Sequence, residues 1–90
     1  MTPEQRKLLR DALVTALVTM GSQIGLNLAT LKGAARAAGF VLDDEALARE
    51  IDYIVKRGLA ELKPVKLSAG VQRWTCTADA VEYGEAEGLV

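Results

Sequence analysis

Few side chains in this sequence could perform catalysis. It has no histidine, one cysteine (Cys76) and two serines, Ser22 and Ser68. Without an imidazole, neither serine has the usual general base beside it, and a zinc site lacks both histidine and a cysteine pair. Cys76 falls on an apolar strand face, which favours a core residue over a reactive thiol. We therefore expect a protein that is not an enzyme and has no cofactor, metal or small-molecule ligand.

The lone cysteine also indicates the compartment. One thiol cannot form an internal disulfide, and this composition fits a reducing environment. The first residues are typical of a helix start rather than of a signal peptide, and the apolar run at 13–20 is too short to span a bilayer. The sequence predicts a cytoplasmic protein that does not contact a membrane.

The basic side chains remain as candidates for binding. The net charge is −1, but all 11 lysines and arginines precede residue 77, whereas residues 77–90 contain four acids and no base. Two interpretations are open for five of the bases. They are scattered charges that balance the acids, or they form one electropositive face that contacts phosphates, if the fold brings them together. These five are Lys32, Arg36, Lys63, Lys66 and Arg73.

A helix over 44–57 is the element that must organise these bases. Asp43 is a typical N-cap, and Gly58 is suited to the left-handed residue that ends a helix. The apolar stripe of Leu47, Ile51, Ile54 and Val55 has helical spacing and predicts the buried side. On the outer side, the i,i+4 spacing predicts ion pairs of Glu45 with Arg49 and of Asp52 with Lys56.

The first helix is predicted over 3–22. Thr2 and Gln5 have the spacing of a capping box, and Pro3 suits the first helical position. An apolar stripe is formed by Leu9, Leu13, Leu17 and Met20, and little polar face is left after Asp11. Such a helix is normally buried on more than one side. It is either the central helix of the core or also the seam of a homodimer.

The other elements are shorter. Thr30 is predicted to cap a helix over 31–38, after a short extended piece at 26–29. A β-hairpin is predicted over 59–77, with Trp74 facing inward. Thr77 is predicted to cap a terminal helix over 78–86, and we expect the last two residues to fray. The fold class is α+β, mostly helical, in a single domain.

This order of elements resembles a winged helix-turn-helix domain. The segment EIDYIVKRGLAE at 50–61 is similar to the phrase in which the third helix of that family runs into the wing. The segment RWTCTADAVEYGEA at 73–86 is similar to the family's ending, where the second wing strand leads into a terminal helix. The small size also resembles that of small phage proteins. The resemblance implies three core helices followed by a wing.

The resemblance also implies a role. In DNA-binding members the third helix enters the major groove, so Tyr53 and Asp52 would lie near DNA. The basic contacts with DNA that this implies are Arg49, Lys56, Lys66 and Arg73, and the interpretation of one electropositive face adds Lys32 and Arg36. The sequence departs from the family pattern in its third helix, because the first half carries Asp44 and Glu45, which phosphates repel. Tyr53 is either half-buried packing or an exposed aromatic contact for a protein partner.

Two hypotheses follow. The first is a small winged-helix DNA-binding protein, a dimer, that serves as a transcriptional regulator or accessory factor and contacts mainly phosphates. The alternative is a winged-helix module for protein–protein interaction or oligomerisation that does not bind DNA. Fold resemblance alone does not choose between them.

Overall fold

The chain forms four helices and three short strands. The structure is a computed structural model, and it describes residues 2–20, 25–63 and 72–90. The elements are α1 (Pro3–Met20), β1 (Leu26–Asn27), α2 (Leu28–Ala37), α3 (Asp44–Lys56), β2 (Ala60–Lys63), β3 (Arg73–Cys76) and α4 (Ala78–Ala86). This order confirms the prediction of three helices, a hairpin and a terminal helix. The predicted end of the first helix at 21–22 and the predicted hairpin turn lie outside the described residues.

The strands form one antiparallel sheet in the order β1-β3-β2. The hairpin prediction covered β2 and β3, which pair from Ala60 with Cys76 to Lys63 with Arg73. The short extended piece also pairs, since Leu26 lies opposite Trp74 on the other edge of β3. Gly25 makes this approach possible: its φ is +84°, and a Cβ there would lie 2.9 Å from the Trp74 carbonyl oxygen.

The core surrounds α1, which contacts α2, α3, α4 and β3. Leu9, Leu13 and Leu17 are fully buried, as the apolar stripe predicted, so α1 is the central helix of the core. Met20 was predicted to continue the stripe, but this was wrong, because its side chain is 60% exposed. Each of the buried leucines contributes about 1.5–3 kcal/mol by leaving water.

The α3 helix closes the core from the other side. Leu47, Ile51 and Ile54 are at most 1% exposed, which confirms the predicted stripe. Asp43 accepts a hydrogen bond from the Ala46 amide at 2.7 Å and so caps the helix as predicted. Gly58 has a φ of +78°, and the Leu59 amide donates back to the Ile54 carbonyl at 2.9 Å. The helix therefore ends where its sequence predicted.

The start of α2 differs from the prediction. Thr30 was predicted as the N-cap, but Asn27 caps the helix: its side-chain oxygen accepts from the Thr30 amide at 2.9 Å. The helix therefore begins three residues earlier, because Asn27 both ends β1 and caps α2. The terminal helix has the predicted bounds, with Thr77 as its N-cap. Leu89 is not frayed as expected, since its amide donates to the Gly84 carbonyl at 2.7 Å.

Candidate nucleic-acid interface

The outer face of α3 is the surface that the fold leaves available beside α2. Packing of the apolar stripe turns Arg49, Asp52 and Lys56 toward solvent. The middle of α2 is tied to the start of α3, because the Lys32 ammonium lies 2.9 Å from a carboxylate oxygen of Asp44. Lys32 therefore lies beside the first turn of α3.

The six predicted contacts with DNA differ in how they are engaged. Lys32 and Lys56 each have a carboxylate partner at 2.9 Å, and for Lys56 it is Asp52, as predicted. Arg36 and Arg49 are exposed, and neither has a carboxylate or hydrogen-bond partner in the described part of the chain. The predicted ion pair of Glu45 with Arg49 does not form among the described residues.

The structure describes one of the two predicted wing bases. Lys66 lies outside the described residues. Arg73 is half-buried, and its guanidinium donates to the Gly25 carbonyl at 3.2 Å. It thereby ties β3 to the residue that precedes β1. A guanidinium has five N–H donors, so most of them are left for another partner.

The acidic start of α3 is less repulsive than the sequence suggested. The Asp43 carboxylate is used in capping, where it also favours the helix dipole. The Asp44 carboxylate is balanced by Lys32. Of the three acids at this end, Glu45 is the one that neither caps the helix nor has an ion pair among the described residues, and it lies one turn before Arg49.

Sequence reasoning missed the contribution of α1. Arg10 donates through Nε to the Glu50 carboxylate at 2.9 Å, and its guanidinium lies 3.6 Å from the centre of the Tyr53 ring. Arg6, one turn earlier, lines the same cleft between α1 and α3, whose volume is about 380 Å³. The i,i+4 spacing of Arg6 and Arg10 was visible in the sequence, but nothing in it indicated that both would lie beside Arg49.

Tyr53 is held between basic side chains. One face of its ring is covered by Arg10, and its hydroxyl accepts from the Arg57 guanidinium at 3.0 Å. The side chain is 38% exposed. Tyr53 is therefore an exposed aromatic side chain whose ring packs against Arg10, and both interpretations of it remain open.

A buried carboxylate directly follows Arg10 in α1. Asp11 is 8% exposed and accepts from the Tyr83 hydroxyl at 2.6 Å and from the Lys7 ammonium at 2.9 Å. Burial raises the pKa of Tyr83, and its hydrogen bond to Asp11 raises it further. The pKa of Lys7 is also raised, chiefly by its hydrogen bond to Asp11. The network joins α1 to α4, and it was not anticipated from the sequence.

No described helix combines the length and the apolar character that crossing a bilayer requires.

Comparison with known proteins adds the fold family. No protein-family model and no curated protein matches this chain. Among solved structures, the chain is similar to the PcaV transcriptional regulator from Streptomyces coelicolor in complex with its natural ligand, with a TM-score of 0.69 and 19% identity over 99% of this chain. A mutant MarR from E. coli complexed with operator DNA aligns with 96% of this chain, with a TM-score of 0.61 and 21% identity.

The chain spans about half the length of these two proteins, 54% and 52%. A third structure, SSV1 F-93, has a TM-score of 0.57 and 15% identity, and the match covers 89% of this chain and 87% of that one. Identities this low establish the fold alone. The fold is a winged helix-turn-helix, as the element order predicted, with α3 in the place of the third helix and the β2–β3 ribbon in that of the wing.

Proposed function

We propose that this winged-helix chain binds duplex DNA as a transcriptional regulator or accessory factor, with α3 in the major groove. The observation that carries the proposal is the outer face of α3. This face is exposed, whereas the apolar stripe of α3 is packed in the core. The exposed face presents Arg49, which has no carboxylate partner in the described part of the chain. The similarity to a MarR structure complexed with operator DNA supports DNA as the partner, and in helix-turn-helix proteins the recognition helix enters the major groove.

The contacts in this proposal are mainly with phosphates. The exposed side chains of α3 include Glu45 and Asp52, and carboxylates read only the cytosine amino group. Arg49 is the α3 base that no described carboxylate engages. The proposal therefore assigns weak sequence preference and a steep salt dependence to the complex. The contacting bases are Lys32, Arg36, Arg49, Lys56, Lys66 and Arg73.

Fluorescence anisotropy with a mixed-sequence duplex tests this proposal at about 50 mM and about 200 mM salt. We expect Arg36→Gln and Arg49→Gln each to weaken binding several-fold at the lower salt and to reduce the slope of log K against log salt by about 1. Ala86→Glu is the matched control, because it makes the same change in net charge on α4. No binding of the wild-type chain at tens of micromolar, or equal effects of all three variants, contradicts the proposal.

A second copy of the chain is the other partner we propose, and the outer side of α1 supports it. Leu8, Ala12, Thr15 and Thr19 follow helical spacing along this side and carry no charge. The Thr15 and Thr19 hydroxyls donate to the Asp11 and Thr15 carbonyls, both at 2.7 Å, so they need no partner from water. A twofold dimer juxtaposes the same patch from each chain, and an uncharged patch meets its copy without repulsion. This surface also supports the alternative of an oligomerisation module.

A further inference from the structure

We propose that the cleft between α1 and α3 is a phosphoryl-binding site, occupied in the complex by a backbone phosphate of the duplex that α3 contacts. The cleft is lined by Arg6, Arg10, Arg49, Glu50 and Tyr53, together with apolar residues at its floor. The inference rests on the proposed function, because the duplex bound in that function supplies the phosphate. It adds α1, a helix that the proposed interface does not include.

The geometry brings three arginines to one place. Glu50 of α3 accepts from Arg10 of α1 at 2.9 Å, which joins the two helices at the middle of the cleft. Arg6 lies one turn before Arg10 on α1, and Arg49 directly precedes Glu50 on α3. Arg6 and Arg49 therefore flank the same ion pair from opposite walls.

The charges of these four residues do not balance. Glu50 is neutralised by Arg10, and this pair is largely buried, with side-chain exposures of 24% for Arg10 and 15% for Glu50. Neither Arg6 nor Arg49 has a carboxylate or hydrogen-bond partner among the residues that the structure describes. The cleft thus has an excess of two positive charges in a chain whose net charge is −1. An anion between the two guanidiniums restores the balance, and their planar donor forks match phosphate oxygens.

The wall of the cleft is also held in place. Arg10 stacks on the Tyr53 ring while it binds Glu50, and Arg57 donates to the Tyr53 hydroxyl from the other side. Arg10 is thus fixed before binding and loses less side-chain entropy when the ligand arrives. The volume of about 380 Å³ accommodates a phosphoryl group with several waters.

The position of Arg49 connects this cleft to the groove-facing surface. Arg49 lies on the exposed face of α3 and also lines the cleft. A duplex that receives α3 in its major groove therefore brings a strand of its backbone alongside the α1 wall. Of the two cleft arginines that no described carboxylate engages, Arg6 is the one that is not on α3, so it separates the two roles.

The test compares Arg6→Gln with wild type in two assays. In the first, anisotropy with a mixed-sequence duplex is measured over a range of salt concentrations, with Ala86→Glu as the control of equal net charge. We expect Arg6→Gln to weaken binding about tenfold at about 50 mM salt and to reduce the salt slope by about 1. In the second, the arginine Nε–Hε signals are followed by NMR during titration with inorganic phosphate at constant ionic strength. We expect the Arg6 and Arg49 signals to shift together in wild type, and the Arg49 shift to be lost in Arg6→Gln.

The outcomes separate this site from the proposed function. If wild type binds the duplex but Arg6→Gln behaves like Ala86→Glu, the site is overturned and DNA binding by α3 stands. If wild type binds no duplex but phosphate shifts both arginine signals, the proposed function fails, and the site is supported with a free phosphorylated solute as its ligand. If neither the duplex nor phosphate binds, both proposals are overturned.

Discussion

At the scale of single residues, the buried carboxylate of Asp11 shows most clearly how context changes a side chain. In the sequence it is the last charge before an apolar run, which suggests a residue facing solvent. In the structure it receives the hydroxyl of Tyr83 and the ammonium of Lys7. A buried carboxylate that accepts two hydrogen bonds is fully paired. When one donor is lost, a carboxylate oxygen stays buried without a partner, and this destabilises the folded state.

Tyr83→Phe tests this network. At about pH 8 we expect it to lower the free energy of unfolding by about 1–2 kcal/mol, because a hydrogen bond to a charged group is lost. Urea unfolding followed by Trp74 fluorescence measures this difference. Tyr53→Phe is the matched control, since its hydroxyl bonds to Arg57 at an exposed position.

The pH dependence of stability gives a second readout for the same variant. The folded state raises the pKa of Tyr83 and of Lys7, so the stabilisation is complete below their ordinary pKa values and is lost as the pH rises through the folded-state values. Wild type should therefore lose stability as the pH rises above about 10. Tyr83→Phe should lose less over this rise, because it has one titrating group fewer. An equal loss in both chains contradicts the network.

At the scale of elements, Asn27 is the residue that joins β1 to α2. It ends β1, where it lies opposite Arg73, and it caps α2 through its side chain. The sequence identified Thr30 because threonine is also a good cap and the apolar spacing begins after it. The choice was decided by β1, since pairing with β3 holds Asn27 in the extended conformation that an N-cap needs.

Substitution of the two candidates distinguishes them. Asn27→Ala should lower the free energy of unfolding by about 1 kcal/mol, because the Thr30 amide loses its acceptor. Thr30→Ala should lower it by less, about 0.5 kcal/mol at most, since the hydroxyl it removes donates to the Asn27 side-chain oxygen at an exposed position but leaves the amide cap in place. Thermal or urea unfolding of the two variants checks this order, and the reverse order would restore Thr30 as the cap.

At the scale of the whole molecule, α1 serves two surfaces. Its buried side carries Leu9, Leu13 and Leu17, and its outer side leaves Leu8 61% exposed on an uncharged stripe. The sequence left open whether this helix is the centre of the core or a dimer seam. The structure shows that α1 is the centre of the core, because four other elements pack on it. The dimer seam is a proposal that rests on the outer stripe.

Leu8→Glu tests the seam. We expect wild type to be a dimer at micromolar concentration by light scattering after size exclusion, and Leu8→Glu to shift it toward monomer, because two buried carboxylates would face each other. Val41→Glu is the matched control, since Val41 is also exposed, at 79%, but lies between α2 and α3. A monomeric wild type, or equal behaviour of the two variants, contradicts the proposed dimer.

The sequence by itself determined the order of the elements, most of their ends and the apolar stripes of α1 and α3. Capping side chains, a glycine such as Gly58 and the helical period act within a few residues, so these features can be deduced without knowing what packs against what. The winged helix-turn-helix assignment followed from that local information.

Only the tertiary structure decided which side chains that are far apart in the sequence pair with each other. Lys32 with Asp44, Arg10 with Glu50 and Tyr83 with Asp11 join residues that are 12, 40 and 72 positions apart. Pairing over such distances depends on how the helices cross, and no local pattern records it. For the same reason, the two arginines that flank the Arg10–Glu50 pair became a candidate site only when α1 and α3 were seen side by side.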